Sequence, residues 1–378
     1  MTWIAIRMLV GNPGKYLSMI AGIAFASLLI SQQASIFVGL MRLTASQIRD
    51  IQGAEIWVMD ANVQFIDDLK PMSENELYRV RGVEGVAWAV RLYKGLSRAR
   101  LADGAYQQVI LLGLDDGTLV GAPREILYGR LEDLNRPDAI IMDENGVRQL
   151  WPEDPFRLGR VFEMNERRAV LVGVCKASRT FQTFPVVYTR YTQAVRFIPP
   201  ERKVMTFVLA EPQPGSNPEQ VCARIEQQTG LKARTRTQFI WDTIWYYMEK
   251  TGIPINFGIT VVLGLIVGTA IAGQTFYLFT VENLRHFGTL KALGVTNDRI
   301  VLMVLTQALL VGLVGYGLGV GAAAIFGEAT KDASRLAFYM PWQVLAITGV
   351  AVSLMVVISS LLCIRKVLVL EPAVVFRG

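Results

Sequence analysis

The chain has 378 residues, of which 52% are hydrophobic and 19% charged, with a mean hydropathy of +0.35. That is too apolar for an ordinary soluble protein and too polar for one lying wholly in lipid. The net charge of +6 does not signal a nucleic-acid partner, because the basic residues are scattered or flank apolar runs, as membrane topology demands.

The first dozen residues, MTWIAIRMLVGN, are mostly apolar with one Arg and end at Asn12-Pro13-Gly14. The pattern predicts a short interfacial helix within 1–15, broken by Pro and Gly before the chain turns into the membrane. Gly11 to Lys15 ends like a phosphate loop, but Tyr16 stands where Ser or Thr belongs and the full glycine pattern is missing. Then comes a run without Asp, Glu, Lys or Arg, residues 16–41. Three more follow at 253–279, 300–326 and 341–364. Each exceeds the roughly 20 residues a helix needs to cross hydrocarbon, and a helix closes its backbone hydrogen bonds internally, as lipid requires. Ala24-Phe25-Ala26 imitates a signal-cleavage site, yet signal cores span only about 7–15 residues, so the first run reads as an uncleaved anchor. The sequence predicts four transmembrane helices in a one-plus-three arrangement, with residues 42–250 as a large insert.

Orientation follows from the short flanks. Arg7 and Lys15 precede the first span, Arg285, Lys291 and Arg299 lie in the 280–299 connection, and Arg365, Lys366 and Arg377 lie in the 365–378 tail. The positive-inside rule puts both termini and that connection in the cytoplasm, and the insert outside. Ser31-Gln32-Gln33 in the first span should face protein or a cavity rather than lipid. Gly264 and Gly268, with Gly315, Gly317, Gly319 and Gly321, give small-residue spacings that let helices approach closely.

The insert has the rhythm of an α/β domain. Residues 54–60 read as a strand, and Ser73 with Glu76 has capping-box spacing for a helix ending near Gly82. Residues 86–101 and 105–114 read as strands about an Asp103-Gly104 hairpin turn. Residues 204–210 form a strand, Asn217-Pro218 opens a helix that Gly230 ends, and a strand follows near 232–236. Strand–helix–strand at both ends predicts a split ferredoxin-like unit, with a strand-rich insertion at about 115–203. Cys175 and Cys222 would share an oxidising compartment, which leaves a disulfide open; Cys363 reads as packing within the last span. Residues 237–251 predict a helix carrying Trp241, Trp245, Tyr246 and Tyr247 straight into the second span, either as an aromatic belt in the outer headgroup layer or as a stalk passing motion to the membrane.

Catalytic chemistry is absent from the pattern. His286 is the one histidine, no His/Cys/Asp set has metal-ligand spacing, and no external nucleophile has a histidine base. No cofactor is expected in this chain, and it is not expected to be an enzyme.

The connection after the second span, FTVENLRHFGTLKALGVTNDRI, predicts a short amphipathic helix. Glu282 and Arg285 form an i,i+3 pair, Phe287, Leu290 and Leu293 mark an apolar stripe, and Gly294 stops the helix. This run resembles the E-R-x-x-E-I-G-x-L-[KR]-A-x-G signature of MacB/FtsX/LolC-type (type VII) ABC permeases, with Glu282, Gly288, Leu290, Lys291, Ala292 and Gly294 in place. Asn283 and His286 depart from the Arg and Glu of the pattern. RHFGTLKALG is nearest to the DevC-like branch, whose permeases have no fused ATPase. The tail LEPAVVFRG resembles the family ending, and residues 157–174 resemble a recurring strand pair of the external domain.

The resemblance implies a permease subunit with a MacB-like periplasmic core domain in a bacterial inner membrane. It implies coupling to a separate ABC ATPase dimer that binds ATP-Mg, through Glu282, Arg285, Phe287, Gly288, Leu290, Lys291, Ala292, Leu293 and Gly294. It further implies a permease homodimer, a periplasmic adaptor, mechanotransmission and export. The competing expectation is an FtsX-like signal relay to an external hydrolase.

Overall fold

Apolar residues in unbroken series leave a helix little choice but to bury its backbone polarity in itself. The first such element, α1 (Thr2–Val10), turns Ala5 and Leu9 inward and leaves Trp3, Ile4, Ile6 and Val10 exposed. After Gly11 the second helix, α2 (Pro13–Thr44), starts on proline, whose missing N–H costs nothing in a first turn. The computed structural model describes residues 2–11, 13–101, 103–199, 205–333 and 336–368. Two units result, Met1–Leu40 with Gly252–Gly378, and Met41–Thr251.

The second unit opens with α3 (Ser46–Asp50), β1 (Ile56–Met59), α4 (Glu74–Arg81) and a long β2 (Val86–Arg100). β3 (Tyr106–Leu114) returns antiparallel from β2. Then follow β4 (Glu125–Tyr128), a 3-10 turn (Leu131–Asn135), β5 (Ala139–Asp143), α5 (Glu144–Leu150), β6 (Val161–Met164), β7 (Arg167–Lys176), β8 (Val186–Arg190) and α6 (Tyr191–Ala194). The unit closes with β9 (Phe207–Pro212), α7 (Pro218–Thr229), β10 (Lys232–Thr235) and α8 (Arg236–Lys250).

Strands β10, β1, β9 and β2 lie side by side, every neighbour antiparallel. With α4 joining β1 to β2 and α7 joining β9 to β10, this is the ferredoxin-like unit the sequence predicts. Strand β2 is long enough to serve twice. Residues 86–92 pair with β9, and residues 93–100 pair with β3, which leads into the inserted strands in the order β3-β8-β5-β7-β4. The sheet is covered on both faces, which is why β1 is buried throughout. Ile56 and Val58 join a core with Leu77, Val80, Val221 and Ile225; Trp57 and Met59 join another with Ile48, Phe207 and Phe239.

Local chemistry departs from expectation at several points. Ser73 sits at the N-cap of α4 but makes no side-chain cap bond, and Glu76 pairs with Arg79 at 2.8 Å instead. A reciprocal capping box lies instead at Thr235 and Gln238, at the start of α8. The strand expected from 204 begins at Phe207; Met205 makes only an isolated bridge to Met72, and residue 204 is outside the described residues. Cys175 and Cys222 are free and lie in the cores on opposite faces of the sheet, so they form no disulfide. Burial raises both thiols, Cys222 to about 12, and holds them protonated.

The chain then forms α9 (Ile253–Glu282), α10 (Leu284–Ala292), α11 (Asn297–Ala333) and α12 (Trp342–Leu368). Among the described residues, four helices are long and apolar enough to span a membrane: Pro13–Thr44, Ile253–Glu282, Asn297–Thr330 and Trp342–Leu361. Helices α2 and α9 run antiparallel in one register. Gly22 meets Ile271, Ala26 meets Gly268, Ile30 meets Gly264, and the Phe37 and Phe257 rings lie 5.5 Å apart. Gly315 and Gly319 give α11 the same closeness to Ile23, Ala24 and Ser27 of α2, whereas Gly317 and Gly321 face open space. Ser27, Ser31 and Ser35 form a buried line on α2 with their hydroxyls bonded to backbone carbonyls, Ser27 reaching Tyr316 at 3.3 Å. Gln32 and Gln33 are half-buried. Residues 336–340 fold back on α2, where the Tyr339 N–H donates to the Ser35 carbonyl at 3.1 Å. The tail 370–378 is outside the described residues.

Candidate coupling site at a helix break

Helix α9 ends because Asn283 turns its own side chain against the backbone. Its Nδ2 donates to the Phe279 carbonyl at 2.8 Å, and its φ/ψ of −89/4 leaves the helix before α10 begins. The sequence predicts a short helix after the second span that carries Glu282 and Arg285 together and stops at Gly294; the structure parts the two at Asn283, Glu282 ending α9 and Arg285 lying in α10. Beyond the break, Gly294 takes φ +86, the left-handed conformation that glycine adopts without strain. The Val295 N–H then closes on the Leu290 carbonyl at 3.1 Å and the Gly294 N–H on Lys291 at 3.0 Å, ending α10 as a glycine cap does.

The nine residues expected to act together divide between inside and outside. Phe287 and Gly288 are buried, and Phe287 packs into the core of this unit with Leu9, Met19, Phe279 and Ile300. Leu290 and Lys291 are half-buried, whereas Arg285, Ala292 and Gly294 are exposed. Leu293 is the most open apolar side chain here, 76% exposed. The expected stripe of Phe287, Leu290 and Leu293 is therefore no single outward face: Phe287 anchors the helix and Leu293, at its C-cap, points away. Glu282 lies on the α9 side of the break and pairs with Lys15 in the first turn of α2.

The aromatic helix α8 also divides. Trp241 and Trp245 are each 56% exposed, one turn apart. Tyr246 instead stacks on Phe65 at 4.0 Å, and Tyr247 is buried between Phe65 and Phe181. Tyr247 donates its hydroxyl to Asp67, and burial first, then the Asp67 charge, raises its pKa. Asp67 also pairs with Lys94, wholly buried on β2, whose Nζ reaches the Ile66 carbonyl at 3.2 Å. Burial lowers the Lys94 pKa against the opposing pull of Asp67. Helix α8 does not run straight into α9, because Thr251 is extended (φ −118, ψ 156) and α9 begins at Ile253.

Sequence reasoning marked Lys15 only as a flanking charge and did not find Phe65, Asp67, Lys94 or Phe181. Lys94 alone left a signal, a charge between Tyr93 and Gly95 inside an apolar strand. No group of three or more His, Cys, Asp or Glu gathers among the described residues.

Comparison with known proteins matches residues 17–228 to the MacB-like periplasmic core domain family and residues 258–372 to the FtsX-like permease C-terminal family. Among solved structures, the extracellular domain of the noncanonic ABC-type transporter YknZ from Gram-positive bacteria aligns at 14% identity and TM-score 0.36, over 48% of this chain and 98% of that one. The periplasmic region of MacB from Actinobacillus actinomycetemcomitans aligns at 14% identity and TM-score 0.37, over 54% and 96%. No curated protein matches the chain.

Proposed function

Because the chain belongs to the MacB/FtsX type of ABC permease, a membrane protein with a large extracytoplasmic domain, we propose that it receives the work of a separate ATPase dimer through α10 and delivers it to that domain. The observation that carries this reading is the build of α10. It is nine residues long, lies between two spanning helices, is pinned by Phe287 and ends on an exposed Leu293. A helix anchored on one side and open on the other can take a push from a soluble partner without melting. By the positive-inside rule, the basic residues of the 280–299 connection support a cytoplasmic position for this end. In the other unit, exposed Trp241 and Trp245 suit a lipid–water boundary. The reading extends to paired permeases, a periplasmic adaptor and outward export, with work done outside the membrane and no substrate required to cross the lipid.

The test is co-purification with candidate ABC ATPases of the same cell. Wild type should retain its ATPase and hydrolyse ATP. An Ala292→Asp, Leu293→Asp variant, changed only at exposed positions, should lose the ATPase while remaining folded. A wild type that retains none of the candidates would sink the reading, and undiminished binding by the variant would move the contact away from α10.

A further inference from the structure

Glu282 and Lys15 are each placed against the field of their own helix. Glu282 is the last residue of α9, where the helix dipole presents partial negative charge, and Lys15 lies in the first turn of α2, where it presents partial positive charge. Neither charge favours its own helix end; together they cancel, because α2 and α9 are antiparallel and bring the two ends side by side. The pair closes the register that runs through Gly22–Ile271, Ala26–Gly268, Ile30–Gly264 and Phe37–Phe257.

Position gives this pair its meaning. Glu282 is one residue before the break at Asn283, and Phe287 is anchored just beyond it in a core shared with Met19, Ile20 and Ile23 of α2. Helices α2 and α9 are also the segments next to the two points where the chain passes between units, Leu40–Met41 and Thr251–Gly252. Both partners are partly exposed, so the bridge adds little stability. Its effect is to hold α2 and α9 together at the end where α10 leaves the bundle.

We propose that Lys15 and Glu282 are positioning residues that clamp α2 to α9 beside the break, so that a displacement of α10 moves both helices together. The proposal rests on the reading of α10 as the ATPase contact. It gives Glu282 a partner within the permease itself and brings α2 into a route that otherwise runs through α9 alone. A clamp that depends on opposite charge has a simple signature, since exchanging the two charges restores it.

The experiment reconstitutes the full chain with its ATPase in lipid and compares wild type, Lys15→Glu, Glu282→Lys and the doubly exchanged protein. ATPase retention, permease-stimulated ATP hydrolysis and the KM for ATP are measured for each. Each single reversal should keep the ATPase and its KM while lowering stimulated turnover about fivefold or more. The double exchange should recover most of that loss. Singles that hydrolyse like wild type, or a double exchange no better than the singles, would overturn the clamp; the latter is the result expected if Glu282 instead touches the ATPase. Loss of the wild-type complex itself would strike the α10 reading, a different failure from either.

Discussion

At the scale of single residues, the external unit keeps a few polar groups where water cannot reach, and their neighbours decide what each can do. Asp143 caps α5 by accepting the Gly146 N–H at 3.1 Å and also accepts the Val186 N–H at 2.7 Å. Burial nevertheless dominates these bonds and raises its pKa from 3.8 to about 6. Between those values the folded chain holds a proton that the unfolded chain has released. The stabilisation from Asp143 is thus full below the unfolded pKa and lost as pH rises through about 6. Denaturant unfolding of the external unit in the full chain should show a gain on the order of 1–3 kcal/mol from this group between pH 7 and pH 4. Asp143→Asn should flatten that slope, and an unchanged slope would contradict the assignment. Lys94 is a second case, since its ammonium is kept in the interior by Asp67 and the Ile66 carbonyl. Asp67→Ala should destabilise the unit by about 3 kcal/mol, because the lysine is left without its counter-charge. Tyr247→Phe should cost about 1.5–3 kcal/mol, the worth of one hydrogen bond to a carboxylate. Neither partner of Lys94 was legible in the sequence, because a pairing between the 66–67 loop and a strand exists only once the sheet has formed.

At the scale of elements, legibility depended on whether the cause was local. The spans, the Gly230 and Gly294 helix ends and both strand–helix–strand halves follow from runs, caps and periods, and the structure has them. The orientation of α10 does not follow from spacing alone, since α10 is a separate helix beyond Asn283 and buries Phe287 while its other face stays open. Tyr246 and Tyr247 likewise match headgroup-layer chemistry, but Phe65 and Phe181 draw them into the domain and leave only Trp241 and Trp245 outside. The contrast within α10 gives a prediction. Phe287→Ala should weaken the fold, lowering the thermal midpoint of the detergent-solubilised chain, with a loss of up to about 3–5 kcal/mol in a fully buried setting. Leu293→Ala should leave the midpoint where it was. Equal effects would mean that α10 is not held by one face. Close packing yields another: Gly319→Leu places a side chain against the Ala24 carbonyl and Ser27, so it should drive α11 from α2, whereas Gly317→Leu meets open space and should be tolerated. Comparable expression and midpoints for these two variants would contradict the arrangement.

At the scale of the molecule, the chain is a lipid-adapted helical unit carrying a ferredoxin-like domain with a β-rich insertion. The proposed function needs three features together: an exposed docking element at one end of the bundle, two helices that connect it to the outside, and a domain whose core is independent of lipid. The first was half legible, since the signature at 282–294 marked the place but not which residues face out. The antiparallel α2–α9 pair was half legible: the Gly264 and Gly268 spacing announced close packing, but nothing local names α2, or Gly22 within it, as the partner. The most direct measurement is photo-crosslinking from position 293 in the assembled, membrane-embedded complex, with exposed Leu313 on a spanning helix as the reference site. The account predicts a crosslink to the ATPase from 293 and none from 313. A complex that assembles and hydrolyses ATP without any crosslink from 293 would contradict it.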